Sequence, residues 1–259
     1  MNQTPDHRSN YQEHGFTIVP SIVPVDRLKR VRQHIDQVMD GQYERAGEIF
    51  PSWKKGDDAT LLRKIDQAHV VDSVIHEIIS DPAIGSMAAQ LTGAKRVQVW
   101  ATQLLYKPPG GRDRGNVGWH QDQDYWAAWW DKSSNLFTAW LAISDVPASA
   151  GPVIFVPGSH RWGHLAQGNF FGKELDQIKQ GMNLPPGATW TEAPATMTRG
   201  SCSFHHRLTI HGSGPNVSES PRISFAIHLR TEDSRPGESH FYNQHLDDPI
   251  ICPIIYRTS

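Results

Sequence analysis

Near residue 95 the spacing of apolar residues changes from a helical to a strand period, and this change divides the chain. Before it, Val25, Leu28, Val31, Ile35, Val38 and Met39 recur at steps of three and four, which marks one face of a helix. Val70, Val71, Val74, Ile75, Ile78 and Ile79 repeat the pattern, and Ile84, Met87, Ala88 and Leu91 follow Asp81-Pro82 and end at Gly93. The first 95 residues therefore read as helical. After Lys95 the stretches Val97–Tyr106, Leu136–Ser144, Val153–Val156, Ser201–Ile210 and Arg222–Arg230 alternate or run apolar between Gly and Pro turns such as Pro108-Pro109-Gly110-Gly111. Short strands bounded in this way predict a closed or sandwiched β unit. Residues 163–196 read as a long insertion with a helix over Lys173–Gln180, and long loops at the mouth of a β unit often carry function. No linker splits the 259 residues, so one domain is expected, with helical support over about 20–93 and a β core over about 96–231.

Composition removes several classes. The net charge is -2 and no basic block is present, which argues against a nucleic-acid surface. No run approaches the roughly 20 apolar residues that span a bilayer. The opening MNQTPDHRSN is polar, and only Cys202 and Cys252 occur, which read as packing cysteines of a reduced compartment. A cytoplasmic protein acting on a small molecule is the expectation.

Fourteen histidines invite a search for metal ligands. Two histidines and one carboxylate on one face of a non-haem iron(II) leave the other face open, and the first His and the carboxylate usually stand two residues apart. The pattern His-x-Asp occurs three times. His34/Asp36 lies within the strongest helix, where two residues turn about 200° and point the side chains apart. His245/Asp247 has no histidine after it. His120/Asp122 remains, flanked by Trp119, Tyr125 and Trp126. On spacing alone, a surface turn with incidental polar residues is an equal reading.

The second signal is His211-Gly212-Ser213-Gly214-Pro215-Asn216, followed by Pro221-Arg222. After Pro221, Ile223, Phe225, Ile227 and Leu229 fall on one side of a strand, and Arg222, Ser224, Ala226 and His228 on the other. An arginine on an inward face needs an anion, because an unpaired buried charge is costly, and a dicarboxylate co-substrate would match its two-pronged donor set. A solvent-exposed face is the plainer reading of Arg222 and Ser224, but it leaves the Gly-rich run after His211 unexplained.

Together, Trp119-His120-Gln121-Asp122, Gly151-Pro152, Val156-Pro157-Gly158-Ser159-His160, His211 to Asn216 with Arg222, and the opening Tyr11–Pro20 resemble the phytanoyl-CoA dioxygenase family of 2-oxoglutarate-dependent oxygenases. The resemblance runs from about Tyr11 to Arg230. It implies a mainly β fold with flanking helices around a double-stranded β-helix (jelly-roll, cupin-like) core. It implies Fe(II) on His120, Asp122 and His211, with O2 as oxidant. Arg222, assisted by Ser213, would hold the distal carboxylate of 2-oxoglutarate, Trp140 would pack against it, and Gln103 or Tyr106 would complete the pocket. The expected reaction is hydroxylation of an unactivated C–H bond, with release of succinate and CO2. Related halogenases lack the carboxylate, so Asp122 argues against halogenation. Asp124 is expected at the pocket rim or in solvent.

His160 is expected to fix its turn, His205 and His206 to be strand residues with one of them near the metal ligands, and one of Trp126, Trp129 and Trp130 to line the substrate pocket. Two other functions compete: a non-catalytic jelly-roll binding protein, and a zinc hydrolase, since zinc also accepts two histidines and a carboxylate. Hydrolysis, however, has no use for an inward Arg222. The family name suggests an acyl-CoA substrate, but no Lys/Arg cluster is placed for the CoA phosphates, so a free small molecule is the expectation.

Overall fold

A computed structural model describes residues 6–110 and 115–258. Gly111, the last residue of the expected turn after the first long strand, lies outside the described residues. In chain order the elements are α1 (His7–His14), β1 (Phe16–Val19), α2 (Val25–Met39), β2 (Phe50–Pro51), β3 (Arg63–Asp66), α3 (Ser73–Ile79), α4 (Pro82–Thr92), β4 (Arg96–Lys107), β5 (Val117–His120) and α5 (Gln123–Trp126). They continue with β6 (Leu136–Ala142), β7 (Ile154–Phe155), α6 (Leu175–Gly181), β8 (Ala193–Pro194), β9 (Cys202–His206), β10 (His211–Ser213), β11 (Arg222–Thr231), α7 (Phe241–Gln244) and β12 (Ile254–Arg257).

The strands form two sheets rather than a closed barrel. The larger runs β1-β9-β6-β11-β4-β3-β2, with β12 also pairing β4, and the smaller runs β5-β10-β7-β8. Side chains of the two sheets meet between them, as where Lys107 of β4 reaches Ser213 of β10. This is the jelly-roll architecture expected from the resemblance. Strand β11 sits between β4 and β6, and its alternation does the sorting. Ile223, Phe225, Ile227 and Leu229 join the hydrophobic core under the helices. Arg222, Ala226 and His228 line a cavity between the sheets. All ten residues of β11 are buried, so the alternation separates an apolar core from a polar interior and not from solvent.

The helices cover the outer face of the large sheet. Helix α2 buries Leu28, Val31, Ile35, Val38 and Met39, while Val25, at its first turn, stays exposed. The expected helix from Val70 starts later, because Asp72 caps it: its carboxylate accepts from Ile75 N at 2.8 Å, and residues 68–70 form a separate 3-10 turn. Asp81 caps α4 in the same way and Gly93, at φ 76°, ends it.

The reading of the first 95 residues as helical needs correction, since β1, β2 and β3 lie among them. Four residues are too few to show a period, and Arg63-Lys64-Ile65-Asp66 carries three charges that only pairing with β4 places in a sheet. The β structure also runs past residue 231, because β12 pairs Arg96–Gln98 of β4. The expected strand over 201–210 is broken: β9 ends at His206, and a turn separates it from β10. His211–Ser213 is itself strand, so the Gly-rich turn begins after Ser213.

Helix α4 lies against β12 with no space between them. A Cβ on Gly85 would stand 2.2 Å from the backbone oxygen of Ile255. Gly85→Ala is expected to cost about 1–3 kcal/mol through this clash, lowering the thermal midpoint; an unchanged midpoint would show that the helix and strand can separate freely.

Candidate metal centre and its cavity

His120 ends β5 and His211 begins β10, and the two are direct partners in the antiparallel ladder. Their rings therefore come together, with centroids 4.2 Å apart. Asp122 follows two residues after His120, but on helical rather than extended backbone (φ -54°, ψ -32°), as the residue that opens α5. Gln121 points the other way. Its amide donates to the carbonyls of Gly163 and Leu208 and accepts from Leu165 N, which fixes the loops behind the site.

One ligand atom from each of His120, Asp122 and His211 falls within 4.8 Å of the others, and all three residues are buried. His120 Nδ1 donates to Gly118 O at 2.8 Å, and His211 Nδ1 donates to Thr209 O at 2.9 Å. Each ring is thereby set as the tautomer with a bare Nε2. Both Nε2 atoms stand 3.7 Å from Asp122 Oδ1, beyond hydrogen-bond length. Three lone-pair-bearing atoms thus face one another with no proton between them, an arrangement a divalent cation satisfies. Two imidazoles and a carboxylate on one side are the donor set suited to non-haem iron.

The neighbouring groups hold these atoms in place. Thr138 of β6 donates to Asp122 Oδ2 at 2.7 Å and contacts His228 Nδ1 at 3.0 Å. The hydroxyl has one proton, and the ionised carboxylate takes it, so His228 Nδ1 must be the donor of the second bond. His205 Nε2 lies 3.3 Å from Asp122 Oδ2, and its ring packs against His211 at 4.5 Å. Burial alone would raise the Asp122 carboxyl, but His211, His120 and His205 outweigh it and hold the group well below the usual carboxylate range. Burial, reinforced by His120 and His205, holds His211 well below the ordinary imidazole value, so it is neutral and free to ligate.

A cavity runs from the triad past Trp140, Gln103 and Ser213 to Arg222. Arg222 is 1% exposed, donates to Gly151 O and lies 5.2 Å from the Trp140 ring. Burial pushes its guanidinium down to about 10. Lys107 is its direct partner across the β11·β4 ladder and is fully buried. Lys107 Nζ donates to Ser213 Oγ at 2.6 Å and to Gly214 O at 2.5 Å. Burial, and then the charge of Arg222, drives its ammonium well below the ordinary lysine value. Among the described residues neither cation has a carboxylate partner. Two buried, adjacent basic groups without a carboxylate partner, at the end of a cavity that starts at the His-Asp-His cluster, fit a carboxylate of a bound dicarboxylate, which would favour the charged form of both.

A second lobe opens on the other side of His120 and Asp122, walled by Trp100, Tyr125, Trp126, Trp129, Phe170 and Tyr242. Two of the three expected tryptophans line it, and Trp130 instead packs edge-on to Trp100 in the core. Phe170 comes from the insertion, which pairs with the edge of β5 through Gly118 N to Phe170 O and Asn169 N to Trp119 O.

Several expected placements fall differently. Tyr106 does not line either lobe; it stacks on Arg63 at 4.6 Å on the helical side. It lies three residues from Gln103, and an odd step on a strand changes face. The even step from Gln103 and Leu105 leads to Lys107, which the same rule could have found. Asp124 is not in solvent: its carboxylate takes His164 at 2.7 Å and Gln121 N at 3.1 Å and secures the turn between the ligands. His160 Nε2 donates to Gln12 O at 3.1 Å, and His206 packs against it, away from the triad. Cys202 and Cys252 are free and buried.

Jelly-roll proteins with this triad and an inward arginine form a class of oxygenases, and comparison places the chain within it. The family profile of phytanoyl-CoA dioxygenase (PhyH) matches residues 11–224, and the chain belongs to that family. A probable alpha-ketoglutarate-dependent hypophosphite dioxygenase of Stutzerimonas stutzeri is 24% identical over 235 residues, covering 89% of this chain and 80% of that protein. The peroxisomal phytanoyl-CoA dioxygenase of Homo sapiens is 23% identical over 254 residues, covering 89% and 69%. The non-haem alpha-ketoglutarate-dependent carbocyclase SnoK of nogalamycin biosynthesis has the same fold, with a TM-score of 0.70 at 23% identity over 95% of this chain and 90% of its own. The chain is accordingly an iron- and 2-oxoglutarate-dependent dioxygenase. Among the described residues no helix is long and apolar enough to cross a membrane.

Burial also sets a pH dependence. His228 and His69 are pushed down to about 4 and His206 to about 3, all chiefly by burial. In the unfolded chain each takes a proton near 6.5, so on acidification the unfolded state binds protons first and stability falls. The urea midpoint of the metal-free protein is expected to drop steadily from about pH 7 to about pH 5, each such histidine contributing up to roughly 1.4 kcal/mol per pH unit. A flat profile would show that these rings are not buried neutral.

Proposed function

We propose that the chain binds iron(II) through Nε2 of His120, Nε2 of His211 and the carboxylate of Asp122, and hydroxylates an unactivated C–H bond of a free small molecule. The observation that carries this reading is the pair of imidazoles tied back to Gly118 O and Thr209 O, which aims two bare nitrogens and one carboxylate oxygen at a common point. Iron with 2-oxoglutarate and O2 supplies the oxidising equivalent, with succinate and CO2 as co-products.

The side chains then divide the work. Arg222 and Lys107 anchor the distal carboxylate of 2-oxoglutarate, Ser213 orients the Lys107 ammonium, and Trp140 forms the wall beside it. Gln103 stands where both lobes meet. Thr138, fixed by His228, holds Asp122 Oδ2 and leaves Oδ1 toward the ion. The aromatic lobe receives the substrate and excludes water from the reacting carbon. Asp122 occupies the position a halide would need, which supports oxygen insertion as the outcome. Lys64 is the one Lys or Arg among the described residues walling the lobe, so there is no basic cluster there to seat CoA phosphates. A hydrolase using zinc would leave Arg222 and Lys107 without a function.

Under anaerobic conditions, iron(II) and 2-oxoglutarate together are expected to give a visible charge-transfer absorption that neither gives alone. His211→Ala should abolish it, and an unchanged band in that variant would contradict the ligand assignment. Arg222→Met is expected to raise KM for 2-oxoglutarate by roughly 30-fold or more, the loss of one partner of a buried charge pair. Lys107→Met should raise it roughly 10-fold. Succinate release followed against 2-oxoglutarate concentration measures both, and a normal KM in both variants would remove the anion site from this end of the cavity.

A further inference from the structure

The aromatic lobe contains a charge pair that the oxidation chemistry does not use. Lys64 and Asp66 are two residues apart on β3, so they share a face, and they stand opposite Leu105 and Gln103 of β4. Lys64 Nζ donates to Asp66 Oδ2 at 2.6 Å, and the Tyr242 hydroxyl donates to the same oxygen at 3.0 Å. Asp66 is 7% exposed, and its other oxygen, Oδ1, is buried with no hydrogen-bond partner. The Lys64 ammonium has three donors and spends one on Asp66. Both residues line the lobe, and around them stand the rings of Trp100, Trp126, Trp129 and Tyr125.

A buried carboxylate oxygen left without a donor is unfavourable, and the half-buried Lys64 ammonium keeps donors free for a ligand. The pair therefore offers one buried, unpaired acceptor beside free donors, and the ring faces of the same lobe suit both an apolar body and a cationic group. A singly charged ligand answers only half of this: an anion leaves Asp66 Oδ1 unpaired, and a cation leaves Lys64 unanswered.

We propose that Lys64 and Asp66 bind the head group of a zwitterionic substrate, an ammonium at Asp66 and a carboxylate at Lys64, while its hydrocarbon body lies along the aromatic wall toward His120 and Asp122. This rests on the oxygenase reading for the position of the reacting carbon, but the binding of the head group can be measured separately. Tyr242 is a positioning residue, since its hydroxyl holds Asp66 Oδ2 and so fixes the carboxylate.

Three probes with one ring and different charge test this: L-phenylalanine, 3-phenylpropionate and 2-phenylethylamine. Each is titrated anaerobically into enzyme loaded with iron(II) and 2-oxoglutarate, and tryptophan fluorescence is followed. L-Phenylalanine is expected to bind roughly 10-fold or more tightly than either of the others. Asp66→Asn should erase its advantage over 3-phenylpropionate, and Lys64→Met its advantage over 2-phenylethylamine. Equal binding of all three, a singly charged probe binding best, or no binding at all would overturn the proposal. If a variant does not fold, the wild-type comparison still decides. The charge-transfer band formed before any probe is added reports on iron and 2-oxoglutarate alone, so its absence would count against the oxygenase reading and not against the head-group site.

Discussion

Everything at the centre follows from the antiparallel pairing of β5 with β10, which sets His211 opposite His120. The two residues lie ninety-one positions apart in sequence, yet the ladder brings their rings within 4.2 Å of one another. Gly212 lets the two strands pack closely, since a Cβ there would sit 3.1 Å from Val117 O and 3.2 Å from the Trp119 ring, tighter than ordinary contact. The smaller sheet thus supplies the two nitrogens, and the loop between β5 and α5 supplies the carboxylate. The larger sheet, through Thr138, His205 and His228, holds that carboxylate from behind.

The same two-sheet arrangement explains why the cavity has two chemically different lobes. At one end, Arg222 and Lys107 are ladder partners, so their charges are forced together in the interior. Side-by-side buried cations are unfavourable by several kcal/mol without an anion, and their presence is evidence of what the cavity is built to receive. At the other end, the walls come from β4, α5, α7 and the insertion, and they are mostly aromatic. The insertion is packed tightly on the centre: a Cβ on Gly168 would stand 2.6 Å from His120 Cα. That closeness ties the insertion directly to the His-Asp-His cluster.

Much of this was legible in the sequence because it depends on period and local spacing. The switch of apolar period near residue 95 located β4, and the alternation after Pro221 sorted Ile223, Phe225, Ile227 and Leu229 from Arg222 and His228 as the structure does. The Trp-His-Gln-Asp and His-Gly-Ser-Gly-Pro-Asn runs carried the family resemblance, and the chain does belong to that family. What escaped depends on partners far away in sequence. Strands β1, β2 and β3 are too short to show a pattern of their own and exist because a neighbour pairs with them. Thr138 looks like any strand threonine until β6 places it beside Asp122. Lys107 shares the face of Gln103 and Leu105 by strand parity, and its register with Arg222 is what sets it at the inner end of the cavity. The family resemblance offered Gln103 or Tyr106 for the pocket, and strand parity sends Tyr106 to the other face.

The gap between His120 Nε2, His211 Nε2 and Asp122 Oδ1 can be probed directly by anomalous scattering at the iron edge, on crystals grown anaerobically with iron(II) and 2-oxoglutarate. A single strong peak is expected inside that gap, with density for a dicarboxylate reaching from it to Arg222 and Lys107. A peak bound elsewhere, or a dicarboxylate that leaves both cations untouched, would contradict the assignment of the centre.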